Sequence, residues 1–476
     1  MRSADEAAIS SLARSPAGAA LRGGPASVLM ERAGRALARA AIELAGGRYG
    51  RRALVLCGKG NNGGDGLVAA RVLRGEGLSV TCVRLFEDED PPPAGGFDVV
   101  VDAIFGTGFK GAPEGRIARA IEGLEGHPRI VSADVPSGVD GATGAVAGAA
   151  VTAAVTVAMG AQKIGTALSP GAARAGRVDV ADIGIPIPEL STHLVEEGDV
   201  RAALPVRPPD AHKRTGGGVV VLAGSEATRG APLLTCRGAG RMGSGYVTLA
   251  STRSVVAAAT AAAPELLTRT VTYDDVLGPE SLDALEDVLE KAGCVAAGPG
   301  AGTGERQRAL VVRLVEEVEV PVVLDADALN VLASGAAEAL AARQAPAVVT
   351  PHPAELARIL GVETAVVTKD RLGAAREAAR RLGCVVLAKG HRTIVTDADR
   401  TAVVPAGGPE LATAGTGDVL TGAVAALVAA GIDAFDAAWC AAYVHGIAGE
   451  IAGTGALAWD VAEALGEARA RFTLGA

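Results

Sequence analysis

The chain has 476 residues, a formal net charge of -9, and 49% hydrophobic but only 3% aromatic residues. That length accommodates two domains of roughly 200 to 270 residues, each able to bury its own core. The acidic balance offers no basic patch and excludes nucleic-acid backbone binding as the main activity, whereas small anions held by loop amides stay open.

The first predicted element is a helix from Ser27 to Leu44, where Val28, Leu29, Ala33, Leu37, Ala40, Ala41 and Leu44 fall on one stripe. Beyond it, RALVLC, LSVTCVRL, DVVVDAIF, RIVSADV, VTAAVTVAM and RVDVADI read as buried strands, with helices at GLVAARVLRGEG and GRIARAIEGLEG. Runs apolar on both faces that alternate with helices predict a parallel sheet covered on both sides, a doubly wound α/β domain. Around Leu204 the pattern breaks into PVRPPDAHKRTGGG, which reads as a linker. Domains are therefore expected at residues 1–203 and 204–476. The alternation restarts with GVVVLAG, YVTLAS, CVAAGPG, PVVLDAD, PAVVTP and CVVLAKG; TIVTDADRTAVV reads as a hairpin, and the end is expected to be helical from about Gly417 to Phe472. No repeat relates the halves, which predicts two different doubly wound α/β domains rather than a duplication.

Six scattered cysteines, Cys57, Cys82, Cys236, Cys294, Cys384 and Cys440, form no CxxC pair or Cys/His cluster, so reduced, buried thiols are expected. The opening MRSADEAAISSLARSP places acids where a secretory leader needs an apolar stretch. The uncharged run from Ala142 to Gln162 is built of weakly apolar Ala, Gly, Thr and Val and reads as soluble strand and turn. A cytoplasmic location, without membrane or nucleic-acid partners, is the expectation.

GKGNNGGDG, Gly58 to Gly66, follows a strand and opens a helix. Gly58, Gly60 and Gly63 satisfy the GxGxxG fingerprint, and Glu87 falls where a ribose-binding acid belongs, so a Rossmann dehydrogenase is one reading and an ordinary tight turn another. Asp65 weighs against the dehydrogenase: a carboxylate at the helix mouth repels a pyrophosphate, whereas Asn61, Asn62 and Asp65 suit a cation or a polar ring. VVDAIFGTGFKGA puts Asp102 at a strand end with Gly106 to Ala112 in the loop beyond, and SADVPSGVDG does the same with Asp134 and Ser137. Loops from the carboxyl ends of parallel strands converge on one site. Asp134 taken alone equally suits a turn cap.

LMERAG (Leu29 to Gly34), GKGNNGGDG, VVDAIFGTG, ADVPSGVDG and GAQKIG, in order and spacing, resemble the NAD(P)H-hydrate epimerase domain over about Ala4 to Gly198. The resemblance implies a Rossmann-like three-layer sandwich. In it Asn61, Asn62, Gly63, Gly64 and Asp65, the loop Gly106, Thr107, Gly108, Phe109, Lys110, Gly111 and Ala112, and Asp134 would contact hydrated NADH or NADPH. Asn62, Asp102 and Ser137 would bind K+. Asp134 is then the candidate acid/base, because epimerisation at C6 must move protons on and off the ring or its hydroxyl. Lys163 is a second candidate, with a surface salt bridge as its plainer role.

ATAGTGDVLTG, Ala412 to Gly422, opens a long apolar helix. Closely spaced glycines let the amides of Gly415, Thr416 and Gly417 form an anion hole for a phosphoryl group. Asp418 is placed to take the proton of an attacking hydroxyl, although the helix dipole alone favours an Asp there. No GxxxxGK[ST] sequence occurs, so nucleotide use is not of the P-loop kind. HKRTGGG, GAP at Gly230 to Pro232, GPGAG, LDADALN, TPHPAE and LAKGHRT each sit at a strand end, with His352 held stiffly between two prolines. An exposed loop histidine is the plainer alternative.

This series resembles the ADP/ATP-dependent NAD(P)H-hydrate dehydratases, which have a ribokinase-like fold, from about Asp210 to the C-terminus. The resemblance implies that Ala231, Gly300, His352 and Asp418 touch the hydrate. Lys389, Gly390, His391, Arg392 and Thr393, with Gly415, Thr416 and Gly417, would hold ADP or ATP with Mg2+. It also implies a homo-oligomer, a tetramer. Ala354 and Ala414 stand where relatives often have Gly, and the Asn many carry before Pro409 is missing, departures expected to adjust loops without abolishing activity.

The implied chemistry is repair of nicotinamide nucleotides. The first domain interconverts the R and S hydrates; the second phosphorylates the C6 hydroxyl of the S form and eliminates phosphate, a better leaving group than hydroxide. One rival is a kinase of a vitamin-type alcohol fused to an accessory Rossmann-like domain, to which GTGD is equally suited. Another is a non-enzymatic nucleotide or RNA scaffold. TPHPAE together with NNGGD argues against the first, and Asp102, Asp134 and Asp418 against the second.

Overall fold

The computed structural model describes residues 25–87, 90–188, 190–213 and 215–473. The leader reading of MRSADEAAISSLARSP and the start of the resemblance at Ala4 lie outside these residues. By contact the chain divides into two compact units between Leu190 and Ser191.

In the first unit α1 (Pro25–Leu44) is followed by β1 (Arg52–Cys57), α2 (Asn61–Gly75), β2 (Ser79–Arg84), β3 (Val99–Ala103), α3 (Gly115–Glu122), β4 (Ile130–Ala133), β5 (Val155–Met159) and β6 (Arg177–Ala181). The sheet runs β2-β1-β3-β4-β5-β6 and every pair is parallel. β1 shows why its sequence is an unbroken apolar run. Ala53, Val55 and Cys57 join the core that includes Leu29, Leu37 and Leu73, while Leu54 and Leu56 join a separate core with Ile121 and Leu124. Each face has its own helical layer, so alternate residues are all buried. The edge strands β2 and β6 are mostly half-buried or exposed. Strand order reverses between β1 and β3, which opens a crevice between the loops that follow them.

α2 starts at Asn61 and therefore contains all of NNGGD, ahead of the predicted GLVAARVLRGEG. Low helix propensity hides this first turn in the sequence. The glycines there serve close packing: a Cβ on Gly63 would overlap the Gly58 carbonyl, and one on Gly66 would come within 2.6 Å of the Ala103 side chain.

The second unit contains β7 (Thr192–Leu194), β8 (Gly218–Leu222), α4 (Gly230–Met242), β9 (Tyr246–Thr252), β10 (Leu267–Thr272), β11 (Cys294–Ala297), β12 (Val322–Leu324), β13 (Ala347–Val349), α5 (Pro353–Leu360), β14 (Val385–Ala388), β15 (Thr393–Thr396), β16 (Thr401–Val404), α6 (Thr416–Ala429), α7 (Ala434–Ala452) and α8 (Ala458–Thr473), besides further short helices. Its sheet runs β10-β9-β8-β11-β12-β13-β14-β15-β16-β7. It is parallel from β10 through β14. β15 and β16 form the expected antiparallel hairpin. The reversal here lies between β8 and β11, at whose carboxyl ends GAP and GPGAG stand.

Three features differ from the sequence expectation. The division expected after residue 203 falls after Leu190 instead, because β7 pairs with β16 and Val195, Val200 and Leu204 are buried in the second core. A three-residue strand and a short helix carry too little periodicity to reveal this, and the described residues from Pro205 to Gly217 form a loop inside the second unit. β10 lies outside the predicted strands; the first three residues of LTRTVT are exposed. The helical end is three helices, of which α6 and α7 are mostly apolar because most of their residues are buried. α4 and α6 approach closely: a Cβ on Gly238 would overlap the Val419 carbonyl, and one on Gly422 that of Thr235.

Cys236, Cys294, Cys384 and Cys440 are buried free thiols, while the buried Cys57 and the half-buried Cys82 bring their sulfurs within 3.7 Å of each other. Among the described residues no helix is long and apolar enough to cross a membrane.

Candidate active sites

In the first unit, Asp102 at the end of β3 is fully buried. Its carboxylate accepts hydrogen bonds from the Ser132 hydroxyl at 2.8 Å, the Ser137 amide at 2.9 Å, the Ser137 hydroxyl at 2.5 Å and the Ile104 amide at 3.3 Å. Burial raises its pKa more than these donors lower it, and no lysine or arginine is among the causes. The Ser137 hydroxyl also accepts the Phe105 amide at 2.9 Å. Asn62 donates its Nδ2 to the Phe105 carbonyl at 2.7 Å, while its amide oxygen lies beside Gly106. Asn62, Asp102 and Ser137 are thus tied through Phe105 into one oxygen-rich group at the reversal point. A buried carboxylate balanced by neutral donors alone is an environment that a hard cation stabilises.

Asp134 leaves β4 with φ 67, a left-handed conformation that costs an L residue roughly 1–2 kcal/mol. Its amide donates to the Val157 carbonyl at 2.8 Å, its Oδ1 accepts the Met159 amide at 3.0 Å, and its carboxylate pairs with Lys163. Hydrogen bonds to charged groups, worth about 1.5–3 kcal/mol each, outweigh the strain. Lys163 is not the surface lysine of the plainer reading: it is 5% exposed, and its ammonium also donates to the Met159 carbonyl at 2.7 Å. Asp65, buried in the first half of α2, has its pKa pushed up to about 8, by burial first and by the negative Asp134 second. The crevice therefore holds the Asp65 carboxyl, which burial keeps protonated to about pH 8, beside the Lys163–Asp134 pair. Of the loop after β3, Thr107, Gly108, Lys110, Gly111 and Ala112 are exposed, and the Phe109 ring stacks on Phe105 at 4.3 Å. Glu87, the ribose acid of the dehydrogenase reading, pairs with Arg84 at 3.0 Å in exposed surroundings.

In the second unit, Gly415 enters α6 with φ 93. The Thr416 hydroxyl donates to the Leu411 carbonyl at 2.9 Å and the Thr413 carbonyl at 3.0 Å, which ties down the turn that starts the helix. Asp418, in that first turn, has its pKa pushed up to about 7 by burial first and then by the charge of Asp325, against the pull of Lys389. Asp325 is 1% exposed. It accepts the Lys389 ammonium at 2.7 Å on Oδ1 and the Thr421 hydroxyl at 2.7 Å on Oδ2. Burial alone would discharge Lys389, but the carboxylates of Asp325 and Glu355 outweigh it and raise its pKa. A Cβ on Gly417 would stand 3.4 Å from the Lys389 ammonium, so a fixed positive charge sits at the helix mouth.

His352 is exposed, as the plainer alternative expected, yet its ring is fixed as the cap of α5. Its Nδ1 accepts the Ala354 amide at 3.0 Å and the Glu355 amide at 3.3 Å, while Glu355 accepts the His352 amide at 2.8 Å. An accepting Nδ1 leaves the proton on Nε2, and burial first, then Lys389, holds the ring pKa below its ordinary value. Gly300, at φ 62, accepts the Thr228 hydroxyl at 2.6 Å, which ties the loop after β11 to the segment leading into Ala231 and α4. A Cβ on Gly415 would touch Leu234 of α4. In the Lys389–Thr393 segment Gly390 has φ 142 and Arg392 φ 60, the Thr393 hydroxyl donates to the Gly390 carbonyl at 3.1 Å, and Arg371 holds the His391 carbonyl at 2.6 Å. Asp418, Lys389, Gly417 and His352 are gathered around Asp325.

Residues 219–467 match the family described as NAD(P)H-hydrate dehydratase. Residues 26–94 and 88–165 match the family described as YjeF-related protein N-terminus. Over 467 residues the chain is 38% identical to the bifunctional NAD(P)H-hydrate repair enzyme Nnr of Moorella thermoacetica, with 90% of this chain and 88% of that one covered. The chain belongs to the bifunctional NAD(P)H-hydrate repair enzymes. The Escherichia coli member of this family is 33% identical, with 89% of this chain and 84% of the relative covered. Among solved structures, the ADP/ATP-dependent NAD(P)H-hydrate dehydratase of Bacillus subtilis, co-crystallised with ATP/Mg2+, is similar with a TM-score of 0.50 and 29% identity, covering 59% of this chain and 98% of that one. A ribokinase-like superfamily protein of Enterococcus faecalis shares the fold, with a TM-score of 0.52 at 22% identity, covering 60% and 98%. The family accounts for both halves, which a dehydrogenase or a scaffold does not.

Within this repair-enzyme fold the sequence does not reveal Asp325 as the partner of Lys389, Thr421 as the donor to Asp325, or Glu355 as the partner of His352. LDADALN was noted as a strand end, but nothing in it distinguishes Asp325, which is buried and paired, from Asp327, which accepts the Gly302 amide at 2.8 Å. His445 was also missed, and its surroundings in α7 look like ordinary core.

Proposed function

We propose that the first unit interconverts the R and S hydrates of NADH and NADPH, and that the second dehydrates the S hydrate at the expense of ADP or ATP. The observation that carries this reading is the helix mouth of α6. A carboxyl with a pKa near 7 stands there beside a fixed ammonium and a glycine-lined turn, the groups needed to deprotonate a hydroxyl and to hold an incoming phosphoryl group. Asp418 takes the proton of the C6 hydroxyl. The amides of Gly415, Thr416 and Gly417, with Lys389, bear the charge of the transferring phosphoryl group; Ala231, Gly300 and His352 position the hydrate, and Lys389 to Thr393 the nucleotide. Loss of phosphate then restores the dihydronicotinamide. The donors suit Mg2+ carried by the nucleotide, since Asp325 and Asp327 lie close enough to raise the pKa of Asp418. Bound with the nucleotide, magnesium would neutralise phosphate charge.

In the first unit Asp65 acts as the acid and Asp134, paired with Lys163, as the base. Asn61 to Asp65 and Gly106 to Ala112 line the hydrate site. Asn62, Asp102 and Ser137 would hold K+, whose charge would compensate the buried Asp102. We place the enzyme in the cytoplasm as a homo-oligomer, a tetramer by family resemblance. The test is incubation with mixed hydrate epimers, with and without ADP or ATP, followed at the reduced-nicotinamide absorbance. Recovery of reduced nucleotide that requires ADP or ATP supports the reading. A stable phosphorylated product would support the kinase alternative instead.

A further inference from the structure

The segment from Ala406 to Thr416, which leads into the anion hole, lies along one face of α7. A Cβ on Gly446 would stand 2.5 Å from the Ala406 carbonyl carbon, and one on Gly449 would stand 2.6 Å from the Leu411 side chain. The Glu450 carboxylate accepts the Gly407 amide at 3.1 Å. His445 completes the row: its ring shares a hydrogen bond with the backbone of Thr416. Residues 445, 446, 449 and 450 fall on one side of a helix, so this face touches the segment at its start, middle and end.

His445 is costly for a packing residue. It is 5% exposed, and its Nε2 is buried without a partner among the described residues. A leucine would fill the space without that penalty, and buried unsatisfied groups in native proteins call for a reason. Burial, helped by the Lys389 ammonium, brings its pKa to about 4 in spite of the Thr416 bond, so the ring is neutral near pH 7. It also lies within electrostatic reach of Lys389, at the same helix mouth as Asp418.

We propose that the α7 face His445, Gly446, Gly449 and Glu450 is the platform that positions the anion-hole turn, with His445 setting the Thr416 to Asp418 backbone for phosphoryl transfer. His445 touches neither hydrate nor nucleotide; it is a positioning residue. The inference rests on the dehydration assigned above to Asp418.

The full chain tests it, with epimerisation by the same sample as the control. His445→Leu should lower the dehydration kcat about 10- to 100-fold, as small misplacements of reacting groups do, while the hydrate KM and epimerisation hold. His445→Asn, which can still hydrogen-bond the Thr416 backbone, should recover to within about threefold of the wild type. The exposed Glu450→Ala, which leaves the core untouched, should raise the nucleotide KM about threefold with an unchanged melting temperature. The inference is overturned if His445→Leu stays within about twofold of the wild type. It is equally overturned if the Leu and Asn variants lose rate and melting temperature in parallel, or if Glu450→Ala leaves the nucleotide KM unmoved. If the wild type shows no nucleotide-dependent dehydration, the assigned reaction fails instead. Affinity for a non-hydrolysable ATP analogue then decides the inference: weakened by Leu and kept by Asn, or overturned by equal affinities.

Discussion

At the scale of single residues, the two sites carry opposite pH signatures. Asp65 must be protonated to act as an acid, and its pKa is about 8, so epimerase kcat/KM should fall as pH rises through about 8. Asp418 must be ionised to act as a base, and its pKa is about 7, so dehydratase kcat/KM should rise through about 7. Separate pH profiles of the two reactions check both; limbs of reversed sign would mean that the proton roles are misassigned. Asp102→Ala should lower epimerisation and weaken its dependence on potassium, leaving dehydration of the S hydrate nearly unchanged; equal loss of both activities would assign Asp102 to folding. Asp65, Asp102, Asp134 and Asp418 were all legible in the sequence, because each stands among glycines at a predicted strand end or helix start. Lys163 was legible only as a second candidate and Asp325 not at all, because burial against a partner 29 and 64 residues away is encoded by no local pattern.

At the scale of elements, the glycines do more than permit turns. Gly63 meets the Gly58 carbonyl where α2 leaves the first sheet, and Gly238 meets the Val419 carbonyl where α4 crosses α6. Gly238→Ala should therefore destabilise the second unit by roughly 1–3 kcal/mol through overpacking. In a thermal melt that resolves two transitions only one should move, and an unshifted profile would show that the helices part at no cost. The buried strands of both sheets were readable because a strand covered on both faces needs no polar alternation. β7 and β10 were not, because β7 is three residues long and β10 is an edge strand whose first half is exposed, so neither leaves an apolar run. The start of α2 was hidden for the opposite reason: close packing selected glycines, whose helix propensity is poor.

At the scale of the whole molecule, two α/β units on one chain were predicted from length and from the restart of the strand pattern, but the boundary was set too late by the proline-rich loop. A fragment beginning at Ser191 should fold and dehydrate the S hydrate. One beginning at Pro205 loses β7 and the buried Val195, Val200 and Leu204, uncovers the edge of β16, and should melt lower or precipitate. Equal solubility and melting of the two fragments would restore the later boundary. The central claim is that one chain takes the unreactive epimer through to the repaired nucleotide, and the most direct measurement starts from the pure R hydrate. With ADP or ATP and Mg2+ the full chain should convert nearly all of it to reduced nucleotide. Asp418→Asn, which keeps the size of the side chain but cannot accept the proton, should still equilibrate R with S yet lose about 10²- to 10⁴-fold in recovery rate. Near-normal recovery by Asp418→Asn, or recovery by the full chain without any nucleotide, would contradict the account.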